Sequence, residues 1–345
     1  MTTILAALQN SLLVLDSTRD GCKVYEHLKQ YNLNSLVVDP HNSSRAYCGT
    51  FDSGLWKTND NGLTWEKTFL DNIGSHITSV SVSPIEMGKS GFGRVFVGTE
   101  PSTILSSIDG GTIWEKIENF NELPSHTAWS FPPRPSTHHV RWIEPDTNNK
   151  NYVFAAIEAG ALIRTFDGGK TWMDRVKNGP YDTHKLVTNK NAPGKLYSAA
   201  GDGYFESEDY GNTWNNVDDG LKDHTYLFSI ALNSGHHKNM IVSAANNAWK
   251  SHDISDLESF IYRRSVEEEE DDQSSKWELV RNGLPESKGT FISILDSNPH
   301  VEDEFYCLNN RGIFVSKDSG FSWKSLEIPW PKEYKLQHPW ALAIR

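Results

Sequence analysis

The chain has few cysteines, no surplus of positive charge and no long apolar run. Its 345 residues include 3 cysteines, Cys22, Cys48 and Cys307, too few and too scattered for a disulfide framework or a spaced metal motif. The net charge of −12 at pH 7 argues against binding along a nucleic-acid backbone, which requires a surplus of lysine and arginine. We therefore expect a protein of a reducing compartment that does not bind nucleic acid.

The N-terminal sequence MTTILAALQNSLLVLDS lacks the features of a targeting segment. No basic residue precedes its apolar stretch, and Gln9, Asn10 and Ser11 interrupt that stretch. It is a poor signal peptide and too short to cross a membrane. We therefore expect a cytoplasmic protein with no membrane partner.

What the sequence has in abundance is one repeated eight-residue segment, here called the box. Five well-formed copies are present: TNDNGLTW (58–65), SIDGGTIW (107–114), TFDGGKTW (165–172), SEDYGNTW (207–214) and SKDSGFSW (316–323). A degenerate sixth begins with SHD at Ser251 and resumes at Lys276. From one box Asp to the next the spacing is roughly 42 to 65 residues, the length of a propeller blade.

The residues around the first box predict a four-stranded sheet. Alternation and turn residues predict the strands Leu33–Val38, Arg45–Thr50, Gly54–Thr58 and Thr64–Thr68, with the box as the turn between the third and fourth. The box Asp can accept hydrogen bonds from following backbone N–H groups, the Gly tolerates positive φ, and the Trp packs against the next sheet. The box is therefore predicted to be structural, not catalytic.

The repeats resemble those of the Asp-box, or BNR-repeat, β-propellers. Members of that family include sialidases, sortilin-type receptors, xyloglucan-degrading glycosidases and a photosystem assembly factor. The resemblance covers almost the whole chain and implies a β-propeller. It implies no single function, because the members of the family do unrelated things.

Six boxes indicate six blades, and the two ends of the chain supply a seventh. The segment TILAALQNSLLVLDSTRDGCKVYEHL predicts a second, third and fourth strand, with a turn from Asp16 to Gly21, and HPWALAIR predicts a first strand. Joining them in one sheet leaves the propeller without an open edge. We predict an all-β fold in which residues 1–345 form a single seven-bladed β-propeller.

Two insertions interrupt the repeats. Residues 254–275 lie inside the sixth box and contain the acidic run Glu267–Asp272, typical of a solvated loop or of a docking site for a basic protein partner. Residues 119–139 join blade 2 to blade 3 and are rich in aromatic residues and proline. This composition predicts a stiff loop whose rings pack against other parts of the protein.

We expect a ligand site on the face opposite the boxes, where loops from all blades converge on the central channel. Histidines recur near the start of the innermost strands: His76, His138, His139, His184, His224 and His338. Acids occupy the second-to-third turn of four consecutive blades: Asp52, Glu100, Glu158 and Asp202. Two further acids, Asp182 and Asp223, adjoin His184 and His224.

These residue types suggest three kinds of contact. His139, His184, Glu158 and Asp202 suit a divalent transition metal such as Zn²⁺, Mn²⁺ or Fe²⁺. Arg134 and Arg141 can hold a carboxylate or phosphate, or instead form ion pairs with nearby acids. Trp129 can stack on a sugar ring or cap the core. The predicted ligand-binding set is Arg134, Arg141, Trp129, His76, His138, His224 and His338.

The sequence supports three functions and leaves open whether the protein is an enzyme. The first is binding of a small hydrophilic ligand, a sugar or a carboxylate-bearing molecule, with metal-assisted hydrolysis as one consequence. The second is a glycoside hydrolase that uses two carboxylates, Asp182 with Asp223 or Asp52 with Asp202. The third is a non-catalytic protein that binds a protein partner.

Overall fold

Seven sheets, each three- or four-stranded, surround one channel in the computed structural model, which describes residues 2–18, 21–68, 76–88, 90–265 and 276–345. In these residues no helix is both long and apolar enough to cross a membrane. Each innermost strand contacts the innermost strand of the next sheet, and the contacts run round the whole ring. The predicted all-β seven-bladed propeller is confirmed.

Blade 7 is built from both ends of the chain. Its outer strands come from the N-terminal segment: β1 (Thr3–Leu8), β2 (Ser11–Thr18) and β3 (Gly21–His27). The innermost strand of this blade, Pro339–Ile344, is the last in the chain and pairs antiparallel with β1, so that Ala6 lies opposite Leu342. The predicted closure is therefore present.

The other six blades follow the chain from the innermost strand outward. Blade 1 has β4 (Leu33–Val38), β5 (Ala46–Thr50), β6 (Gly54–Thr58) and β7 (Glu66–Lys67). Blade 2 has β8 (Ile77–Met87), β9 (Gly93–Thr99), β10 (Ile104–Ser107) and β11 (Glu115–Ile117). Blade 3 has β12 (Val140–Pro145), β13 (Val153–Ile157) and β14 (Ala161–Thr165), with a single bridge from Arg164 to Met173 in the fourth position.

Blades 4 to 6 repeat this order. Blade 4 has β15 (Thr183–Thr188), β16 (Leu196–Ala200), β17 (Gly203–Ser207) and β18 (Asn215–Asn216). Blade 5 has β19 (Tyr226–Leu232), β20 (Met240–Ala245), β21 (Phe260–Arg264) and β22 (Glu278–Val280). Blade 6 has β23 (Ile294–Ser297), β24 (Phe305–Asn309), β25 (Gly312–Ser316) and β26 (Lys324–Ser325), and the closing strand of blade 7 is β27.

The box forms the turn after the third strand of its blade, and the side chains of its Asp and of its first residue form hydrogen bonds within the eight residues. In the first box, Asp60 accepts from the backbone N–H of Thr64 (2.9 Å) and from its hydroxyl (2.5 Å). The Thr58 hydroxyl donates to Asp60 (2.7 Å) and accepts from the N–H of Gly62 (3.0 Å), whose φ is 81°. The first box residue therefore also fixes the turn, which explains why it is always Ser or Thr.

The predicted sixth box is wrong in position. Residues Ala248–His252 form a short helix, α1, and the Asn247 side chain accepts a hydrogen bond from the N–H of Lys250 (3.0 Å) at its start. Asn is a favourable N-cap, and SHD lacks the Gly and Trp of a box turn. Because α1 precedes β21, it joins the second and third strands of blade 5 and lies at the opposite face.

This correction also changes the predicted acidic insertion. Of residues 254–275, Phe260–Arg264 is the regular strand β21. The run Glu267–Asp272 lies outside the described residues.

The insertion at residues 119–139 packs on blade 3, as its composition indicated. Two short 3₁₀ helices, Phe120–Glu122 and Pro124–Ala128, place Phe120 and Trp129 in one buried cluster with Trp172. The Trp129 indole N–H donates to the Ser125 hydroxyl (2.9 Å). The insertion therefore has its own anchor in the core.

Candidate ligand site at the channel mouth

A cavity of about 800 Å³ opens at the face opposite the boxes. It is lined by second-to-third turns, by the starts of innermost strands, by α1 and by the insertion between blades 2 and 3. Its aromatic lining consists of Phe51, Phe131, Tyr226, Phe228, Phe291 and Trp340. Its charged and imidazole lining consists of Arg134, His139, Arg141, Glu158, Asp182, His252, Asp253 and His338.

Glu158, in the turn between β13 and β14, is central to the polar side of the cavity. His139 Nε2 lies 2.7 Å from its Oε2, and Arg141 Nε lies 3.5 Å from the same oxygen. Burial by itself raises the pKa of Glu158, but His139, His184 and Arg141 more than offset that effect, so its pKa lies well below the usual value. Glu158 is therefore ionised at neutral pH.

His184 and Asp182 come from the start of β15 and face Glu158. His184 Nε2 lies 3.6 Å from Asp182 Oδ2 and 3.8 Å from Glu158 Oε1. On its other side, His184 Nδ1 donates a hydrogen bond to the carbonyl oxygen of Leu227 (2.6 Å), which can only accept one. Burial raises the pKa of Asp182, and His184 partly opposes this shift.

Arg134 and Glu100 form a second polar group at the rim. The guanidinium donates in bidentate fashion to Glu100, at 2.8 Å from Nε and 2.6 Å from Nη2. Its Cζ lies 5.0 Å from the Phe51 ring centroid and 4.7 Å from that of Phe131. Both charged groups are therefore held in place, and the Arg134 guanidinium is already neutralised by a carboxylate.

A directed chain of hydrogen bonds forms the third polar group. His338 Nδ1 donates to the carbonyl oxygen of Pro339 (2.7 Å), so His338 Nε2 accepts from His252 Nδ1 (2.6 Å). His252 Nε2 then accepts from the Tyr226 hydroxyl (3.1 Å). Burial lowers the pKa of His252 to about 3 and that of His338 well below its usual value, so both rings are neutral.

Deeper in the channel the innermost strands close around charged groups. A cavity of about 40 Å³ lies there, beside Lys185. Lys185 Nζ donates to the carbonyl oxygen of Leu295 (2.9 Å), and burial raises the pKa of Glu144 to about 7. The cavity in this part of the channel is therefore much smaller than the one at the mouth.

The structure brings part of the predicted set to the cavity. The predicted residues that line it are Arg134, Arg141, His139, His338, Glu158 and Asp182. His184 lies directly behind them and is 1% exposed. The metal ligands predicted were His139, His184, Glu158 and Asp202, but the group whose ligand atoms lie within 4.8 Å of one another is Glu158, Asp182 and His184.

The remaining predicted acids are placed elsewhere. Asp52 accepts from the N–H of Asn32 with both oxygens (3.1 and 3.2 Å), and Asp202 accepts from the N–H groups of Tyr181 (3.0 Å) and Asp182 (3.1 Å). Both close loops instead of pointing into the cavity. Asp223 is exposed and is not part of the lining.

The remaining predicted ligand-binding residues also have other neighbours. His76 is exposed and stacks on Phe51 at 4.4 Å between ring centroids. His138 bonds to Ser102 and contacts the buried Trp129, whereas His224 bonds to Tyr262. None of these four side chains, Trp129 included, belongs to the described lining of the cavity.

Sequence reasoning missed His252, Tyr226 and Phe228. His252 was assigned to a box, and the helix cap at Asn247 is the signal that identifies its true place. Tyr226 and Phe228 appear in the sequence as ordinary apolar residues of an inner strand. Only the position of β19 beside the mouth shows that they line the cavity.

Fold and cavity together define a seven-bladed β-propeller with a ligand-sized site at the mouth of its channel. No protein-family profile matches the chain. Xyloglucanase Xgh74A of Acetivibrio thermocellus is 24% identical to it over 212 residues, which are 53% of this chain and 24% of that protein. The chain thus covers about a quarter of the length of this curated relative.

Solved structures share the fold at low sequence identity. An ancestral GH74 enzyme aligns with a TM-score of 0.63 and 15% identity, over 91% of this chain and 38% of its own. YCF48 from Cyanidioschyzon merolae aligns with a TM-score of 0.58 and 13% identity, over 85% of this chain and 84% of its own. A structure of YCF48 bound to D1 peptide aligns with a TM-score of 0.56 and 19% identity, over 89% of this chain and 82% of its own.

Proposed function

We propose that this protein binds a carbohydrate in the mouth cavity. The observation that carries the proposal is a cavity of about 800 Å³ with aromatic rings on part of its wall and charged hydrogen-bonding groups on the rest. Sugars offer the matching surfaces, since a pyranose ring has apolar C–H faces and a rim of hydroxyl groups. The volume lies within the usual range for small-ligand sites, about 300–1,000 Å³.

The likeness to a xyloglucanase over half of the chain supports a carbohydrate ligand. On the same basis we infer that the eight-residue repeats are Asp-boxes and that the chain is a member of that group of propellers. A cytoplasmic location and a single domain over residues 1–345 remain predictions.

A neutral sugar fits better than a carboxylate-bearing ligand. Arg134 donates in bidentate fashion to Glu100, and Arg141 Nε lies 3.5 Å from Glu158. A ligand carboxylate would have to displace one of these acids to gain an arginine. The ionised Glu158 is suited to accept hydrogen bonds from sugar hydroxyls.

We propose binding and not two-carboxylate cleavage. Of the four predicted catalytic acids, Asp182 alone lines the cavity within the described residues. Asp52 and Asp202 use both oxygens to accept backbone N–H bonds. Neither predicted pair therefore faces a common ligand.

Calorimetric titration with xyloglucan, cello- and manno-oligosaccharides tests the proposal. We expect at least one of these to bind, and Phe131→Ala to weaken that binding at least about fivefold through the loss of ring contact. Phe321→Ala is the matched control, because Phe321 is an exposed aromatic residue on a box turn of the opposite face. The Phe321→Ala variant should bind the oligosaccharide with the same affinity as the unaltered protein.

Two outcomes contradict the proposal. One is no heat of binding with any oligosaccharide from protein that shows a cooperative thermal transition. The other is equal binding by the Phe131 and Phe321 variants. Binding of an extended peptide at the same mouth, with no binding of sugar, would instead favour the protein-partner function.

A further inference from the structure

We propose that Glu158, Asp182 and His184 bind a divalent transition-metal ion whose open coordination positions face the mouth cavity. One ligand atom from each residue lies within 4.8 Å of the others. The proposal concerns the floor of the carbohydrate site but does not depend on which ligand binds above it.

Each of the three side chains has one atom held by a neighbour and one atom directed to the common point. His184 Nδ1 is held by the Leu227 carbonyl (2.6 Å), and Asp182 Oδ1 is held by the N–H of Ala159 (2.7 Å). Glu158 Oε2 is held by His139 (2.7 Å). The atoms left are His184 Nε2, Asp182 Oδ2 and Glu158 Oε1, and such outer contacts are typical of metal ligands.

The chain of hydrogen bonds from Pro339 engages a donor that would otherwise compete for His184 Nε2. His184 Nε2 lies 3.4 Å from the Tyr226 hydroxyl, but that hydroxyl has a single proton, which the chain directs to His252 at 3.1 Å. The ring of His184 is 1% exposed, so water has little access to it. The buried Nε2 atom therefore faces two carboxylate oxygens, and a cation between these three atoms would attract all of them.

The distances from His184 Nε2 to the two carboxylates fit a shared metal ion better than direct hydrogen bonds. A direct N–H···O hydrogen bond from Nε2 to either carboxylate would measure about 2.7–3.2 Å. In the structure, His184 Nε2 lies 3.6 Å from Asp182 Oδ2 and 3.8 Å from Glu158 Oε1. Ligand atoms at about 2.1 Å from a tetrahedral ion lie about 3.4 Å apart, which is closer to the observed spacing.

The ligand set indicates the class of metal. One imidazole with two carboxylates suits Zn²⁺ or Mn²⁺, whereas Mg²⁺ and Ca²⁺ prefer oxygen ligands alone. Three protein ligands leave at least one position open, as in catalytic and not structural zinc sites. Since Glu158 and Asp182 line the cavity, a sugar hydroxyl or a water molecule can occupy that position.

Titration calorimetry of untagged, chelator-treated protein with ZnCl₂ and with MnCl₂ tests this inference without any sugar present. We expect one Zn²⁺ ion per chain and at least about tenfold weaker binding by Asp182→Asn, which keeps the acceptor for Ala159 but loses the charge. Asp202→Asn is the matched control, because Asp202 accepts from the N–H of Asp182 outside the proposed group. Visible absorption of the Co²⁺-loaded protein provides a second readout of the same site.

Three results would overturn the inference. The first is the absence of Zn²⁺ and Mn²⁺ binding, and the second is equal metal affinity of Asp182→Asn and Asp202→Asn. The third is metal binding that survives Asp182→Asn but is lost in His236→Asn, a substitution at the stacked pair of rings His236 and His237. Sugar binding by protein that binds no metal rejects this inference alone. Metal binding without sugar binding rejects the carbohydrate proposal alone.

Discussion

The chemistry of the mouth depends on which atom of each side chain is already bound to a neighbour. His184, Asp182 and Glu158 were all singled out from the sequence, because histidines and acids recur at equivalent points of the blades. His184 and Glu158 were predicted to share a metal site, but Asp182 was not predicted to join them. The groups that hold His184 and Asp182 in place are a carbonyl of Leu227 and an N–H of Ala159. Backbone groups of a neighbouring blade carry no sequence signal.

Stability should fall on acidification, partly through His252. Its folded pKa is about 3, against roughly 6.5 in the unfolded chain. Between these values the unfolded state binds more protons, so stability is lost as the pH falls below about 6.5, by up to about 1.4 kcal/mol per pH unit. Urea unfolding of the parent protein and of His252→Gln between pH 7 and pH 5 measures how steeply the free energy of unfolding changes with pH. We expect a shallower slope in the variant, and an unchanged slope would show that His252 does not contribute.

The repeated turns and the strands around them are the best predicted elements. The strand Gly54–Thr58 and the strand Leu33–Val38 have the predicted bounds, since alternation and turn residues within each blade determine them. The fourth strand of blade 1 is shorter than predicted, Glu66–Lys67. The prediction of the sixth box failed because Ser251 and Asp253 match two positions of the box, although Asn247 is a favourable cap for the helix Ala248–His252.

Removing a box carboxylate should weaken the fold without affecting the mouth. Asp167 accepts from the N–H groups of Lys170 (3.0 Å) and Thr171 (2.9 Å) and from the Thr171 hydroxyl (2.6 Å). Asp167→Ala should lower the free energy of unfolding by about 1–2 kcal/mol. Chemical denaturation checks this, with Asp223→Ala as a control at an exposed acid outside the boxes. Equal losses in both variants would refute the structural role, as would a loss of sugar or metal binding in Asp167→Ala.

The whole molecule depends on closure of the ring by β27. This feature was predictable, because the N-terminal segment lacks a first strand and the C-terminal segment is a strand without a sheet. The cavity at the mouth was predictable in position but not in volume or lining. Its walls combine loops of different blades, the helix α1 and the insertion at residues 119–139, whose packing depends on contacts far apart in the sequence.

Weakening the closing strand should lower the stability of the entire propeller. Leu342, which pairs with Ala6 and is 7% exposed, belongs to a buried cluster that includes Ile4 and Ile344. Leu342→Ala should cost about 2–4 kcal/mol, and deletion of residues 340–345 should lower the thermal midpoint markedly. Leu336→Ala is the matched control, because Leu336 is 65% exposed. A thermal midpoint that stays constant in the deletion variant would refute closure as a source of stability.

The most direct test of the proposed metal site is an anomalous difference map, collected at the zinc absorption edge, from crystals soaked in Zn²⁺. We predict a peak about 2.0–2.2 Å from His184 Nε2, Asp182 Oδ2 and Glu158 Oε1, on the cavity side of the three side chains. A map with no peak at this point, or with its strongest peak at surface histidines, would contradict the proposed site.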